Sequence, residues 1–493
     1  MSIAELIAFI LYFLAVIGIG ITMFFKTRGG NEKDYFLGGR NMGSWVTALS
    51  ASASDMSAWL LMGLPGSILA FGMGKVWIAI GLLIGTVLNW QLTAPRLRRF
   101  SKAAGDSITI PQYLSNRFGA KSKALRIVSA VVFLVCYAVY AASSFKACGT
   151  LFNSVLGLDY NVATAVAAGI ILLYTFLGGF AAVCWTDFIQ GMLMLVALLI
   201  APIAALSAVN GGQVAGTVVL AEHYWNFLPS GKLDWSSIST ILSGLAWGLG
   251  YFGMPHILVR FMSIREPGMI KKSKWIAIIW TSLGLAAAVA VGLVGRLYLP
   301  DLTAANSNLV FINMVRGIFP AFIAGVLLSA ILAASMSTAD SQLLVSASAF
   351  TSDVYKPVIR KNASNREMLW ISRLVVLAVT VVAFLIAINP NSGDIMNLVE
   401  NAWAGFGSAF GPVILLSLFW KKFTYRGAVA GILGGAAVDV LWLIFLTSPT
   451  GIYELLPGFA AGMLCAVIGT LLDKKEKQQA AEAIFAELAA DVD

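Results

Sequence analysis

Long apolar runs separated by short charged loops dominate the pattern of this chain. Several runs exceed the roughly 18 residues that suggest a membrane-spanning helix, for example 188–209 and 369–388. A β-barrel would instead show short segments of alternating hydrophobicity. The pattern predicts an all-α polytopic membrane protein with about 13 transmembrane helices, called spans 1 to 13 here. Their expected bounds are roughly 3–25, 43–70, 75–95, 125–156, 161–181, 187–209, 238–262, 274–297, 319–348, 369–388, 398–420, 425–447 and 453–473.

The most informative polar stretch lies within span 2. Residues 51–59 combine small and hydroxyl side chains with the carboxylate of Asp55. A charge in hydrocarbon is costly and usually has a functional reason. Gly63, Pro65 and Gly66 follow, and they can interrupt a helix and free backbone carbonyls. The stretch favours a binding site for a small cation at a broken helix. A carboxylate that pairs with a basic group to fix helix packing is the alternative.

Span 7 has a similar interruption, around Gly248, Gly250, Gly253 and Pro255. Spans 2 and 7 lie an odd number of spans apart, so they enter the membrane from opposite faces. Matching interruptions in two halves indicate the substrate site of a secondary transporter built from inverted repeats. We therefore expect a 5+5 inverted repeat. Its parts are an N-terminal helix and cytoplasmic loop (1–42), a first repeat of spans 2–6 (43–209), a second repeat of spans 7–11 (238–420), two C-terminal helices (425–473) and a cytoplasmic tail (474–493).

Span 9 carries a second polar cluster, from Ser329 to Gln342. Within it, Ser337 and Ser341 are four residues apart and share one helix face. Single hydroxyls often bond only to the carbonyls of their own helix. The density of polar residues, with acidic Asp340 among them, favours an ion site or pathway. Asp187, at the cytoplasmic entry of span 6, is a further candidate, with an N-terminal helix cap as the alternative.

Four aromatic residues lie in mid-span near the two interruptions: Trp59, Tyr140, Trp247 and Tyr251. Aromatic belts form at the membrane interfaces, so a belt does not explain these positions. Aromatic walls suit a compact, partly apolar solute with a cationic end.

Composition and charge narrow the range of functions that the chain could have. The chain is 59% hydrophobic and 12% charged, with a net charge of +9. Lys and Arg concentrate in alternate loops, so the excess is a topology signal: the rich side is cytoplasmic, the N-terminus lies outside and the C-terminus inside. Nucleic-acid binding is a poor explanation for it. The 4 cysteines and 2 histidines show no metal-ligand spacing, and catalytic motifs are missing from the sequence. We expect no enzyme.

These stretches resemble the sodium/solute symporter family over nearly the whole chain, and most closely its members that carry proline. The resemblance rests on long motifs: Phe36-Leu-Gly-Gly-Arg40, Ala48-Leu-Ser50, Ala53-Ser-Asp55-Met56-Ser57 through Gly66, Trp247 through His256 with Arg260-Phe-Met262, Met336-Ser-Thr338 with Gln342-Leu-Leu-Val345, and Glu400-Asn-Ala-Trp403 through Lys422. It implies the leucine-transporter-like fold. Two positions depart from the pattern: Ala58 stands where proline symporters have glycine, and Asp340 leaves the number of cations open.

The resemblance also implies roles for individual residues. The sodium site would use the carbonyls of Ala53, Met56 and Ala334 with the hydroxyls of Ser337 and Thr338. Asp55 and Ser57 would belong to the cation and proline region, and the proline pocket would be lined by Trp59, Tyr140, Trp247, Tyr251 and Pro255. Coupling or the ion path on the cytoplasmic side would involve Arg40, Ser50, Asp187, Asp340 and Ser341.

The implied function is secondary active transport in the bacterial cytoplasmic (inner) membrane. Inward movement of Na⁺ would drive uptake of L-proline by alternating access, with the lipid bilayer as surroundings and no protein partner. A sodium symporter for another small amino or organic acid, or a proton-coupled transporter using Asp55, Asp187 and Asp340, are the alternatives. For Asp187 and Asp340 we expect a transient sodium exit site. The alternative there is that Arg40 or another basic residue neutralises one of them.

Overall fold

The computed structural model describes residues 2–27, 32–120, 122–177, 179–212, 218 and 220–490. Within these ranges the chain forms helices and no strand; Met42 and Ile264 make an isolated parallel bridge. The helices are α1 (Ile3–Thr27), α2 (Glu32–Leu37), α3 (Ser44–Asp55), α4 (Gly63–Phe71), α5 (Val76–Leu88), α6 (Ala94–Ala103), α7 (Ile110–Arg117), α8 (Ala124–Leu156), α9 (Tyr160–Leu177), α10 (Phe180–Asn210), α11 (Trp235–Ala246), α12 (Pro255–Ser263), α13 (Ile270–Tyr298), α14 (Val310–Ile318), α15 (Ala321–Phe350), α16 (Asn365–Ile388), α17 (Ile395–Phe419), α18 (Tyr425–Phe445), α19 (Thr447–Thr450), α20 (Leu455–Leu471) and α21 (Lys475–Ala490).

Among the described residues, 9 helical stretches are long and apolar enough to cross a membrane, or 10 if the pair α20–α21, bent by 111°, is one span. The apolar helix Tyr160–Phe176 is shorter. The second half of the expected span 2 and all of span 3 are counted as one stretch, Ala58–Ala103, and span 7 is broken into two helices that are too short to be counted. The polytopic all-α prediction is confirmed, whereas the number 13 stays a prediction.

Span 2 breaks earlier than the glycines and proline indicated. Helix α3 ends at Asp55, a 3₁₀ turn covers Ala58–Leu60, and α4 begins at Gly63. The predicted break at residues 63–66 is therefore wrong in place. Pro65 lies in the first turn of α4, where a missing amide costs no helical hydrogen bond. Gly66 permits close packing, because a Cβ there would lie 2.9 Å from the backbone of Ser307.

Span 7 breaks where the sequence indicated. Helix α11 ends at Ala246, a 3₁₀ segment runs from Trp247 to Phe252, and α12 begins with Pro255 at its first position. Gly250 lies inside this segment, and a Cβ there would come 1.9 Å from the indole nitrogen of Trp403. The glycine thus allows the broken segment to pack directly on α17.

Helix α15 lies at the centre of the molecule, in contact with α1, α3, α8, α10 and α16. Every residue from 327 to 349 is buried, so the helix has no lipid-facing side along this stretch. Its many Ala and Ser residues let neighbouring backbones approach closely, as is typical of helix packing in membranes. The polar cluster predicted in span 9 is therefore held inside the protein.

Candidate functional site

The break after α3 frees the backbone carbonyl of Ala53 from its helical hydrogen bond. In a regular helix the Ser57 amide would bond to the carbonyl of Ala53; here it bonds to the Asp55 carbonyl, at 3.0 Å. Ser57 is extended, and its hydroxyl accepts a hydrogen bond from the Trp59 amide at 3.4 Å. Met56, which lies between Asp55 and Ser57, is fully buried. The Ala53 carbonyl is left to bond outside its own helix.

Helix α15 supplies the partner of that carbonyl. The Ser337 hydroxyl lies 2.9 Å from the Ala53 carbonyl oxygen and 3.2 Å from that of Ala334, within hydrogen-bonding distance of both. The neighbouring Thr338 hydroxyl is buried and has no hydrogen-bond partner. The structure thus gathers carbonyl and hydroxyl oxygens of α3 and α15 at one place. Such oxygens can replace the water shell of a small hard cation.

Asp55 and two tyrosines lie next to these oxygens. The Tyr251 hydroxyl donates to Asp55 Oδ2 at 2.5 Å, which joins the two broken spans directly. The Tyr140 hydroxyl, from α8, donates to the Asp55 carbonyl at 3.2 Å, and the Trp59 indole donates to the same oxygen at 3.3 Å. All of these side chains are buried. Pro255, which is also predicted to line the pocket, begins α12 four residues after Tyr251.

The aromatic rings form a continuous group. The ring centroid of Trp247 lies 6.2 Å from that of Trp59, 6.3 Å from Trp403 and 5.4 Å from Tyr453. The Trp403 indole also donates to the Trp247 carbonyl at 2.8 Å. The sequence predicts neither Trp403, which lies in a matching motif, nor Tyr453 as part of the site. A lone tyrosine in a loop between two C-terminal helices gave no signal.

A second polar group surrounds Asp187 on α10. Arg260 of α12 pairs with Asp187 at 2.8 Å and also donates to the hydroxyls of Ser50 (2.7 Å) and Ser341 (2.6 Å). The Ser50 hydroxyl donates to the same Asp187 oxygen at 2.6 Å. Arg260 and Asp187 are 1% and 0% exposed, so this is a fully buried ion pair. Arg260 lies in a motif of the resemblance, but the sequence does not predict this ion pair.

Asp340 lies at the edge of the same group. Its Oδ1 accepts a hydrogen bond from the Ser341 hydroxyl at 3.3 Å, while its Oδ2 is buried without a partner. Among the described residues Asp340 forms no ion pair. In the part of the chain that the structure describes, Asp187 thus has a fixed cationic partner, whereas Asp340 has none.

Arg40 lies elsewhere. Its guanidinium bonds to Asp106 (2.7 Å) and to the carbonyls of Met262 (2.6 Å) and Ser107 (2.7 Å), so it ties two loops to the end of α12. Partial burial acts to raise the pKa of the Asp106 carboxyl, but the hydrogen bonds and charges of Lys33 and Arg40 outweigh it and hold that pKa below its usual value. Arg40 is joined to the site through α12 and makes no contact with Asp187.

Comparisons with known proteins identify the family of the chain. The model of the sodium:solute symporter family matches residues 35–435. The osmoregulated proline transporter OpuE of Bacillus subtilis is 44% identical over 481 residues, which cover 96% of each chain. The sodium/proline symporter of Escherichia coli is 44% identical over 475 residues, 95% of this chain and 93% of the relative.

Solved structures share the fold. A Na⁺-coupled sialic acid symporter in a substrate-bound, outward-open state superposes with a TM-score of 0.78 at 18% identity, covering 96% of this chain and 98% of the other. The nucleobase-cation-symport-1 transporter Mhp1 in a closed conformation gives 0.55 at 14% identity, covering 91% and 98%.

The fold is that of the leucine-transporter-like class, and the family match identifies a secondary transporter with sodium as the coupled ion. The chain belongs to the sodium:solute symporter family. It is a multi-pass protein of the bacterial inner membrane, and a transporter rather than an enzyme.

Proposed function

We propose that this protein uses the inward movement of sodium to take up L-proline by alternating access. The observation that carries the proposal is the hydrogen bonding of the Ser337 hydroxyl with the freed Ala53 carbonyl, beside Asp55 and the aromatic group. The relatives that are 44% identical over nearly the whole chain, and that are described as proline transporters, support L-proline as the solute.

In this proposal sodium binds between α3 and α15. The carbonyls of Ala53, Met56 and Ala334 and the hydroxyls of Ser337 and Thr338 surround it. The Ser337 hydroxyl then turns from donor to ligand, because a bound cation takes the lone pairs of the same oxygens. The unpartnered Thr338 hydroxyl is a ligand already free to bind. Sodium therefore holds the end of α3 against α15 and fixes the break that follows.

Proline binds beside the ion. Its ammonium meets the Asp55 region and the Ser57 turn, and its ring packs on Trp59, Trp247 and Tyr140. Pro255 begins α12, and the positive end of that helix dipole favours the carboxylate. The close ring contacts around Trp247 suit a compact, partly apolar solute.

Alternating access moves the two repeats, 43–209 and 238–420, relative to each other, with the N-terminus outside and the C-terminus in the cytoplasm. Arg40 and the Arg260–Asp187 pair link α12 to the cytoplasmic loops, α10 and α15, and they tune coupling there. Ser50, Ser341 and Asp340 form the ion path. Asp187 has Arg260 as its fixed partner, whereas the Oδ2 of Asp340 has no partner. Asp340 is therefore the stronger candidate for the transient sodium exit site.

Uptake of radiolabelled L-proline into proteoliposomes tests this function. An inward sodium gradient should drive accumulation, and replacement of sodium by potassium should abolish it. Equal uptake in both salts would contradict sodium coupling, and uptake driven by a pH gradient in potassium would instead support proton coupling. Competition by excess unlabelled amino or organic acids identifies the solute. A competitor that inhibits the uptake more strongly than unlabelled proline does would contradict the proline assignment.

A further inference from the structure

A groove lies where α6, the end of α17 and the C-terminal helix α21 meet. Its volume is about 360 Å³, within the range of about 300–1,000 Å³ that is typical of small-molecule sites. Three cationic side chains and three aromatic rings account for most of its lining: Arg96, Arg99, Lys421, Phe100, Phe419 and Phe485. Among the described residues no acidic side chain belongs to the lining. We call this site the basic groove.

The three positive charges of the basic groove have no counter-charge. In the part of the chain that the structure describes, none of the three forms an ion pair, whereas Arg40, for example, is paired with Asp106. A concave site lined by one sign of charge attracts ions of the opposite sign. The arrangement therefore indicates an anionic ligand.

Arg96 is oriented before any ligand binds. Its guanidinium carbon lies 4.2 Å from the centroid of the Phe419 ring, and one of its nitrogens donates to the Leu418 carbonyl at 2.8 Å. A guanidinium carries five N–H donors, so this single bond leaves donors for a ligand. Its planar fork matches the oxygens of a phosphate or carboxylate with two parallel hydrogen bonds. The basic groove is thus prearranged for an oxyanion.

Helix α21 forms the far wall of the basic groove. The Phe485 ring packs on that of Phe100, with centroids 5.1 Å apart, and the Arg117 guanidinium carbon lies 4.8 Å from the Phe485 centroid. Arg117 also donates to the Ala481 carbonyl at 3.3 Å. Phe485 is buried, so this wall belongs to the packed structure. The basic groove is therefore a concavity built by three separate parts of the chain, and not a flat patch of surface charge.

The surroundings of the basic groove place it at the edge of the membrane. Helix α17 is one of the stretches long and apolar enough to span, and it ends at Phe419, which is 42% exposed. Leu92, four residues before Arg96, is exposed as well. Helix α21 is bent by 111° from the apolar α20, so it leaves the direction of the spans here. Apolar surface that suits acyl chains therefore lies next to cations that suit a headgroup.

We propose that the basic groove binds the phosphate of an anionic phospholipid. Arg96 and Arg99 bind the phosphate oxygens, Lys421 adds a third positive charge, and the acyl chains lie along Phe419 and Leu92. Basic pockets at the cytoplasmic ends of membrane helices are suited to such headgroups.

One helix joins this lipid site to the broken span 7. Arg98 of α6, between the two arginines of the basic groove, donates to the carbonyls of Ile264 (2.6 Å) and Arg265 (3.0 Å), just after α12. A bound lipid therefore holds α6 against α17 and α21 and, through Arg98, against the end of α12. The inference goes beyond the proposed function and does not depend on which solute the protein carries.

Binding of a fluorescent phosphatidylglycerol to the purified, delipidated protein in an uncharged detergent tests the proposal. The groove variant combines three substitutions: Arg96→Gln, Arg99→Gln and Lys421→Gln. Arg99→Gln alone is also measured, because Arg99 is exposed and its removal leaves the packing intact.

The control variant removes the same three charges near the start of α16, outside the basic groove. It combines Lys361→Gln, Arg366→Gln and Arg373→Gln. The match is close, because the Arg373 guanidinium carbon also lies over a ring, 5.2 Å from the centroid of Trp370.

The wild type and the control variant should bind the lipid equally, whereas the groove variant should bind it about tenfold more weakly or less, because three charges that attract the headgroup are lost. Arg99→Gln should show a smaller loss, which tests the proposal even if the groove variant does not fold. Unlabelled phosphatidylglycerol should displace the label, and phosphatidylcholine and inorganic phosphate should not.

Equal lipid binding by the wild type, the groove variant and Arg99→Gln would overturn the proposal, and so would equal losses in the groove and control variants. Displacement of the label by phosphatidylcholine would show that the headgroup charge is not recognised, and displacement by inorganic phosphate would assign the site to a soluble anion; either result overturns the lipid assignment. Since no transport is measured, such a failure leaves the uptake experiment to judge the proposed function independently.

Discussion

At the scale of single residues, the proposed sodium site depends most on the side chain of Ser337. Its hydroxyl contacts two carbonyls on different helices, Ala53 and Ala334, so it responds to any ion that takes these oxygens. A hydrogen bond to a charged group contributes about 1.5–3 kcal/mol to stability, more than a hydrogen bond between neutral groups. We expect the contact between the Ser337 hydroxyl and a bound cation to contribute a similar free energy.

Ser337→Ala should therefore raise the sodium concentration for half-maximal proline uptake about tenfold or more, since about 1.4 kcal/mol equals a factor of ten. Thr338→Ala should act in the same direction. Sodium titration of uptake in proteoliposomes measures both. Ser329→Ala is the control, because Ser329 is buried on the same helix but bonds only to the Gly325 carbonyl of that helix. Equal shifts in all three variants would mean that α15 is merely perturbed.

Trp247 should affect the solute more than the ion. Its ring contacts those of Trp59, Trp403 and Tyr453. Trp247→Ala should weaken proline binding about tenfold or more, from the loss of about 1.5–3 kcal/mol of apolar burial. Sodium binding measured without proline should change far less, and Trp185→Ala, at a 43% exposed position, should leave both unchanged. Equal losses for proline and sodium would assign the ring to the fold alone.

At the scale of elements, the Arg260–Asp187 pair joins four helices. Arg260 comes from α12, Asp187 from α10, Ser50 from α3 and Ser341 from α15. A buried charge that loses its partner is strongly destabilising, whereas removal of both charges is far less so.

A double-mutant cycle tests this interpretation. Asp187→Asn and Arg260→Gln should each destabilise the folded protein by about 3–5 kcal/mol, and the double variant should lose much less than the sum. Unfolding in detergent measures the stability of the three variants, and additive losses in the cycle would contradict this interpretation.

The variant Asp340→Asn tests the proposed sodium exit site. It should slow sodium release, measured by stopped flow, without a comparable loss of stability. A release rate equal to that of the wild type would contradict the exit site.

The contact of α5 with the broken span is a second element-scale feature. Gly85→Ala should destabilise the protein by about 1–3 kcal/mol, because its Cβ would meet the backbone carbonyl of Gly248 at 2.4 Å. Gly169→Ala on α9, with nothing within 4 Å of the new methyl group, should be neutral or slightly stabilising. Thermal unfolding of both variants provides the comparison. Matching stabilities would show that the two backbones are not in tight contact.

At the scale of the whole molecule, the sequence predicted the all-α polytopic class and the two broken spans, because hydropathy and glycine positions act locally. It misplaced the break in span 2, since Ser57 and the polar run before Gly63 end the helix. It did not predict that Arg260 rather than Arg40 pairs with Asp187, because that choice depends on how α12 packs. It did not predict Tyr453 for the same reason, because Tyr453 reaches the ring of Trp247 only through the packing of distant elements.

The central claim is that sodium at the α3–α15 contact organises the proline pocket, which makes the two binding events one coupled equilibrium. Binding of labelled proline to the purified protein, titrated at several sodium concentrations, and of ²²Na⁺, titrated at several proline concentrations, tests it most directly. The account predicts that each ligand increases the affinity for the other by the same factor, in the range of about 5–150 that is typical of coupled sites. Proline binding of equal strength in sodium and in potassium would contradict it.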